Sequence, residues 1–175
     1  KTLPYPARLD FELHNTCNLA CVMCNSRNSS SYAKKFHPDE PPLPMRYGPK
    51  IIEELKEFIP HLKKANFLGG EPFLIDIYYE IWDLILELNP NCNVFIQTNA
   101  HILNNKIKKM LSKGKFSIGI SFESIDKEQF SKIRLNGNFD KLMENIAYFK
   151  KYCKDQGTHL SFAITPLRKT VNELA

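Results

Sequence analysis

The sequence predicts an α/β fold, a partial TIM-like (β/α) barrel of parallel strands. Three observations carry the prediction. Strand-like and helix-like periodicities alternate five times along the 175 residues, the pattern of βα units joined by crossovers. Several strands have one small, polar face, whereas a parallel sheet covered on both sides reads almost continuously apolar. The residues with unusual chemistry all fall at the carboxyl ends of strands, where open α/β sheets and barrels both place their active sites. The strand order is compatible with an open sheet or a barrel.

Each element has a local reason. Arg8 to His14 alternates apolar and polar residues, the strand period. Ser26 to Gly48 carries Pro38, Pro41, Pro42 and Pro44, which forbid a continuous helix. Ser29 to Phe36 can form one short helix, and the whole segment reads as a cover over the preceding loop or as a surface meander. Ile51, Ile52, Leu55, Phe58, Ile59 and Leu62 fall on one helical face. Asn66 to Gly70 reads as a strand ending in glycines, followed by a helix over Ile77 to Leu88 with Asp76 placed to cap it. Asn93 to Thr98 is a strand, and Asn105 to Lys113 a helix ended by Gly114. Phe116 to Phe122 is a strand. Asp126 with Gln129 resembles a capping box, and helices follow to about Asp155. Thr158 to Thr165 is the fifth strand.

Alternation within these strands predicts a concave, polar lumen. Asp10, Glu12, Ser117, Ser121, Ser161 and Ala163 are expected to face it, with Gly119 and Glu123 on the same side. Phe11, Ile118, Ile120, Phe162 and Ile164 are expected to pack under helices.

Composition bounds the function classes. With 43% hydrophobic and 25% charged residues the chain suits one globular domain. No apolar run approaches the roughly 20 residues of a membrane span, so no membrane partner is expected. The net charge of +5 is scattered over helix faces without a dense basic block, which gives no nucleic-acid signature. The chain begins without Met and ends inside what reads as a new helix, so residues 1–175 are expected to be one domain of a longer protein. No secretory leader is recognisable, and a cytoplasmic location is expected.

Cys17, Cys21 and Cys24 are spaced C-x₃-C-x₂-C directly after the first strand. Three thiolates on one loop suit three irons of a [4Fe–4S] cluster, leaving the fourth iron open to a ligand. Thiolates also suit zinc. His14 with the three cysteines would make a closed Cys₃His site, and the chain would then be a zinc-stabilised binding module without catalysis. Cys153 continues the apolar stripe of the last helix and reads as a core thiol, while Cys92 lies in a turn.

Cys17-Asn-Leu-Ala-Cys-Val-Met-Cys24 resembles the cluster loop of radical S-adenosylmethionine enzymes. The resemblance extends to Gly69-Gly-Glu-Pro72, Gln97-Thr-Asn-Ala100, Ser121-Phe-Glu-Ser-Ile-Asp126 and Arg134. The wording around the loop is most like the subgroup with SPASM or twitch extensions.

The resemblance implies a [4Fe–4S] cluster on the three cysteines and S-adenosylmethionine on the open iron. Reductive cleavage of that cofactor would give a 5′-deoxyadenosyl radical that modifies a substrate. Gly69 and Gly70 would let the backbone approach the cofactor, and Glu71 would give its amino group a charge-assisted hydrogen bond. Thr98, Asn99 and Ser121 would contact the ribose, Arg134 would pair with the carboxylate, and Met23 would lie near the adenine. Thr165 and Asn172 would be further cofactor or cavity contacts. The implied partners are an external electron donor of flavodoxin or ferredoxin type and a small-molecule or peptide substrate. A sixth strand–helix unit and the cysteines of an auxiliary-cluster domain are absent from this sequence.

Overall fold

The computed structural model describes residues 5–168 and 170. It contains one open sheet of five parallel strands: β1 (Arg8–Phe11), β2 (Lys64–Phe67), β3 (Asn93–Thr98), β4 (Phe116–Ser121) and β5 (Leu160–Ala163). They lie side by side in sequence order. The helices are α1 (Ser30–Phe36), α2 (Pro49–Phe58), α3 (Asp76–Leu88), α4 (Asn105–Leu111), α5 (Lys127–Ile133) and α6 (Phe139–Gln156). This is the α/β partial barrel that the alternating pattern implies. None of these helices is long and apolar enough to cross a membrane.

The apolar face of the sheet carries the core. Phe11, Phe67, Ile96 and Ile118 are in register across four strands and all are buried. The Phe11 and Phe67 rings stack at 4.7 Å, and Trp82 of α3 meets Phe67 and Phe116 edge-on. Phe149 and Cys153 of α6 close the same layer. Burying a large apolar side chain contributes about 1.5–3 kcal/mol, so this layer dominates stability. Cys92 is buried in it too, despite its place in a turn.

The opposite face is polar as expected. Asn66 donates to Asp10 at 2.5 Å, and Gln97 donates to Ser121 at 2.9 Å. Gly119 makes room for this: a Cβ there would stand 2.4 Å from both Gln97 Oε1 and the Phe95 ring.

Three local expectations need correction. Phe162 and Ile164 were expected under a helix, yet they are 49% and 43% exposed. Phe162 lies in the edge strand and Ile164 just past its end, where alternation selects a face but about half of each side chain stays in solvent; the Phe162 ring meets Phe122 at 5.8 Å. Asp76 does not cap α3; it lies in the first turn and pairs with Lys106 at 2.6 Å. The segment after the cysteines does begin with the short helix α1, capped by Ser29. Its proline-rich part lies beside His14, which meets Leu43 O, and none of its residues lines the cavity of the three cysteines. Asn172 lies outside the described residues.

Candidate cluster and cofactor site

The site is assembled where β1 and β2 end. Tyr78 of α3 ties the two ends together: its hydroxyl accepts from Leu13 N–H at 2.9 Å and lies within 3.0 Å of the Phe11 and Leu68 carbonyls. Gly69 and Gly70 have φ of +75° and +39°, a region that favours glycine. The chain approaches closely there. A Cβ on Gly70 would stand 2.3 Å from Thr16 O, and Glu71 N–H donates to the same oxygen at 2.7 Å. The glycine turn thus seats the entry to the cysteine loop.

Backbone and hydroxyl contacts hold that loop. Ser30 and Ser31 donate to Cys17 O at 3.2 and 2.7 Å, and Cys17 N–H donates to Ser30 Oγ at 3.0 Å. Ser29 donates to Leu19 O at 2.6 Å. On the other side Ala20 N–H reaches Leu135 O and Val22 N–H reaches Ile133 O, at 3.1 and 2.9 Å. Leu19 and Ala20 are buried by these contacts.

The three cysteines line one cavity of about 280 Å³, shared with Met23, Gly69, Gly70, Asn99, Ser121, Arg134 and Thr165. Among the described residues, the structure therefore gathers all but two of those assigned to the cluster and cofactor from the sequence. The exceptions are Glu71 and Thr98, which lie behind the cavity wall. Glu71 is 1% exposed and its carboxylate accepts from Thr98 Oγ1 (2.7 Å), Asn99 N–H (2.8 Å) and Phe73 N–H (3.3 Å). Thr98 in turn accepts from Ala100 N–H. These donors make the pair a lock between the ends of β2 and β3. Burial pushes the Glu71 carboxyl up to about 7, against the lowering effect of those donors.

Sequence reasoning missed Glu123 as a site residue. Its carboxylate is buried and clamped by Arg134 through Nε and through Nη2, the latter at 2.6 Å. Nη1 of Arg134 points at Cys21 Sγ, 3.6 Å away. Burial works against the guanidinium charge, but Glu123 together with Cys21 and Cys17 more than offsets this and holds its pKa above the ordinary value. Gln97 and Glu12 also line the cavity. Period-2 alternation already put Glu123 on the lumen side with Ser121, and extended to Gln97 it does the same, but it could not pair Glu123 with Arg134.

The donor set fits an iron–sulfur cluster better than zinc. Among the described residues no three His, Cys, Asp or Glu side chains converge on a single-ion site. His14 is engaged elsewhere, through Nδ1 with Thr16 at 2.6 Å and Nε2 with Leu43 O at 3.0 Å. A cluster asks each sulfur for a different iron. Cys17 Sγ also receives Leu19 N–H at 3.5 Å and Asn99 Nδ2 at 3.8 Å, donors suited to a thiolate. Burial pushes all three thiols up, Cys21 to about 11, so bound metal must favour the thiolate form.

A family model described as the radical SAM superfamily matches residues 11–173. The chain belongs to the radical SAM superfamily. This family uses a [4Fe–4S] cluster and S-adenosylmethionine, and its members are enzymes. Among curated relatives, a probable GTP 3′,8-cyclase of Methanocella arvoryzae is 27% identical over 143 residues, covering 79% of this chain and 41% of the relative. A GTP 3′,8-cyclase of Clostridium perfringens is 27% identical over 142 residues with the same coverage. The chain thus spans about two fifths of the length of these relatives. Among solved structures, SuiB of Streptococcus suis bound to S-adenosylmethionine has a TM-score of 0.69 at 17% identity, over 97% of this chain and 37% of that one. Native anSMEcpe with bound AdoMet has a TM-score of 0.62 at 23% identity, over 90% and 42%. These two likenesses establish the fold.

Proposed function

We propose that this chain is the radical-generating part of a radical SAM enzyme that modifies a peptide or protein. The observation that carries the reading is the single cavity shared by Cys17, Cys21, Cys24 and the Gly69–Gly70 turn. When bound, the cluster and S-adenosylmethionine supply reductive cleavage of a carbon–sulfur bond and a radical that abstracts hydrogen. The protein's own contribution is to hold and shield them. The cysteines would bind three irons. Backbone groups at Gly69 and Gly70 would receive the cofactor's amino end, and Asn99, Ser121, Met23 and Thr165 would line the remainder. Glu71 and Thr98 would act from behind, by fixing the turn and Asn99.

Two considerations support a peptide. The loop wording resembles the SPASM or twitch subgroup, and anSMEcpe is described with bound AdoMet and a Kp18Cys peptide. The relatives named as GTP 3′,8-cyclases favour a nucleotide instead. The carboxylate of Glu12 in the cavity lining argues against a polyanion there. Electrons would come from a flavodoxin- or ferredoxin-type donor, in the cytoplasm, where thiolates stay reduced.

The test is anaerobic reconstitution with iron and sulfide, then incubation with S-adenosylmethionine and a strong reductant. Release of methionine and 5′-deoxyadenosine is expected. A fully loaded protein that leaves the cofactor intact would overturn the proposed activity. Mass spectrometry of added peptides and of GTP then separates the two substrate readings.

A further inference from the structure

Arg134 and Glu123 form an arrangement that holding a cofactor does not require. Two nitrogens of the guanidinium clamp Glu123, and the third side, Nη1, faces Cys21 Sγ at 3.6 Å. The two side chains are only 8% and 1% exposed. Their placement is fixed by the backbone. The residues flanking Cys21 donate to the carbonyls of the residues flanking Arg134, Ala20 to Leu135 at 3.1 Å and Val22 to Ile133 at 2.9 Å. The two segments therefore lie side by side, with Cys21 opposite Arg134. As a mere clamp this is an expensive solution, because apolar residues of similar volume often stabilise as well as a buried ion pair. What the pair adds is an oriented, partly neutralised cation beside one sulfur.

We infer that Arg134, held by Glu123, is a positioning residue that sets the reduction potential of the cluster through Cys21. The inference rests on the cluster reading given above. Reduction by one electron from the external donor makes the cluster more negative, and cluster potentials follow net charge and hydrogen bonds to sulfur. A guanidinium N–H on Cys21 stabilises the reduced form and raises the potential. Glu123 opposes this by cancelling part of the charge. The two residues therefore act with opposite signs, which a purely structural clamp would not do. Three of the guanidinium's five N–H donors are thereby engaged by Glu123 and Cys21, and the titration below separates this role from pairing with a carboxylate of the cofactor.

The experiment is an EPR-monitored redox titration of the reconstituted protein without S-adenosylmethionine, alongside iron content and cofactor affinity. The Glu123→Gln variant should titrate at a more positive midpoint than wild type. The double variant Arg134→Gln with Glu123→Gln, which removes both charges and leaves no buried ion unpaired, should titrate at a more negative one. Unchanged midpoints at full iron content would overturn the inference. So would a tenfold or greater loss of cofactor affinity with an unchanged midpoint, which would assign Arg134 to the cofactor carboxylate. If the double variant does not load, Arg134→Lys keeps a charge but loses the fork and should also shift negative. Failure of that variant to load would make the pair a structural clamp and sink the inference. A wild-type protein that never takes up a cluster would instead overturn the proposed function.

Discussion

Replacing Gly70 by alanine should cost the protein both stability and its cluster. The residue stands at φ +39°, and its new Cβ would come 2.3 Å from the carbonyl oxygen of Thr16. That oxygen is backbone and already accepts from Glu71 N–H, so it cannot swing away as a flexible side chain could. The left-handed conformation alone costs a non-glycine residue roughly 1–2 kcal/mol. Relieving the clash must also move Thr16 and with it Cys17. A loss of about 3 kcal/mol or more is expected, at the upper end of ordinary substitutions. Urea unfolding would report it, and iron per chain after reconstitution should fall in parallel. Gly157→Ala makes a useful control: its φ is +66° but a Cβ there meets nothing within 4 Å. It should lower stability only modestly and leave iron content unchanged.

Glu71→Gln has the second largest expected effect. Both carboxylate oxygens accept hydrogen bonds from the protein. The amide of glutamine can satisfy one side only, and presents N–H to N–H on the other. A buried donor left unpaired costs about 1–3 kcal/mol. Because Asn99 is one of the donors and reaches towards Cys17, cofactor binding should weaken through a displaced wall. The pH dependence identifies the group. The folded-state pKa is raised from 4.5 to about 7, so the folded protein holds this proton more tightly than the unfolded chain. The resulting stability is complete below about pH 4.5 and is lost as the pH rises through about 7. Wild-type stability should therefore decline across that window and the gap to the Gln variant should narrow. Urea midpoints at about pH 5 and about pH 8 would show it. A gap that is constant or widens with pH would mean that Glu71 carries no raised pKa.

Much of the fold was legible because it is decided locally. Asn93–Thr98, with its Val-Phe-Ile run directly after the turn residues Asn89 to Asn91, was read as a strand, and the structure makes that stretch β3. Asp126 accepts from Gln129 N–H and caps α5 as its spacing suggests. Ser29 caps α1 in the same way. What failed was decided by neighbours distant in sequence. The first strand was expected to run to His14 but stops at Phe11, since the next residues turn away and Leu13 gives its N–H to Tyr78, sixty-five positions on. The alternation of the last strand separated two faces, as its register with β4 shows, yet could not say that Phe162 would stay half exposed. The site followed the same division. The cysteine loop and the Gly-Gly turn announce themselves by spacing and residue type. The Arg134–Glu123 pair did not, because its meaning lies in the approach of two segments to Cys21, and no periodicity records that. Glu71 was visible as a residue, but the direction of its carboxylate depends on donors from the next strand.

The central claim is that Cys17, Cys21 and Cys24 hold a [4Fe–4S] cluster whose remaining iron accepts S-adenosylmethionine. Its most direct measurement is the EPR spectrum of the reduced, anaerobically reconstituted protein, recorded with and without S-adenosylmethionine. The account predicts a cluster signal that changes when the cofactor is added, disappears in Cys17→Ser, Cys21→Ser or Cys24→Ser, and persists in Cys92→Ser and Cys153→Ser. A colourless protein that binds zinc, or full iron content in the Cys17→Ser variant, would contradict it.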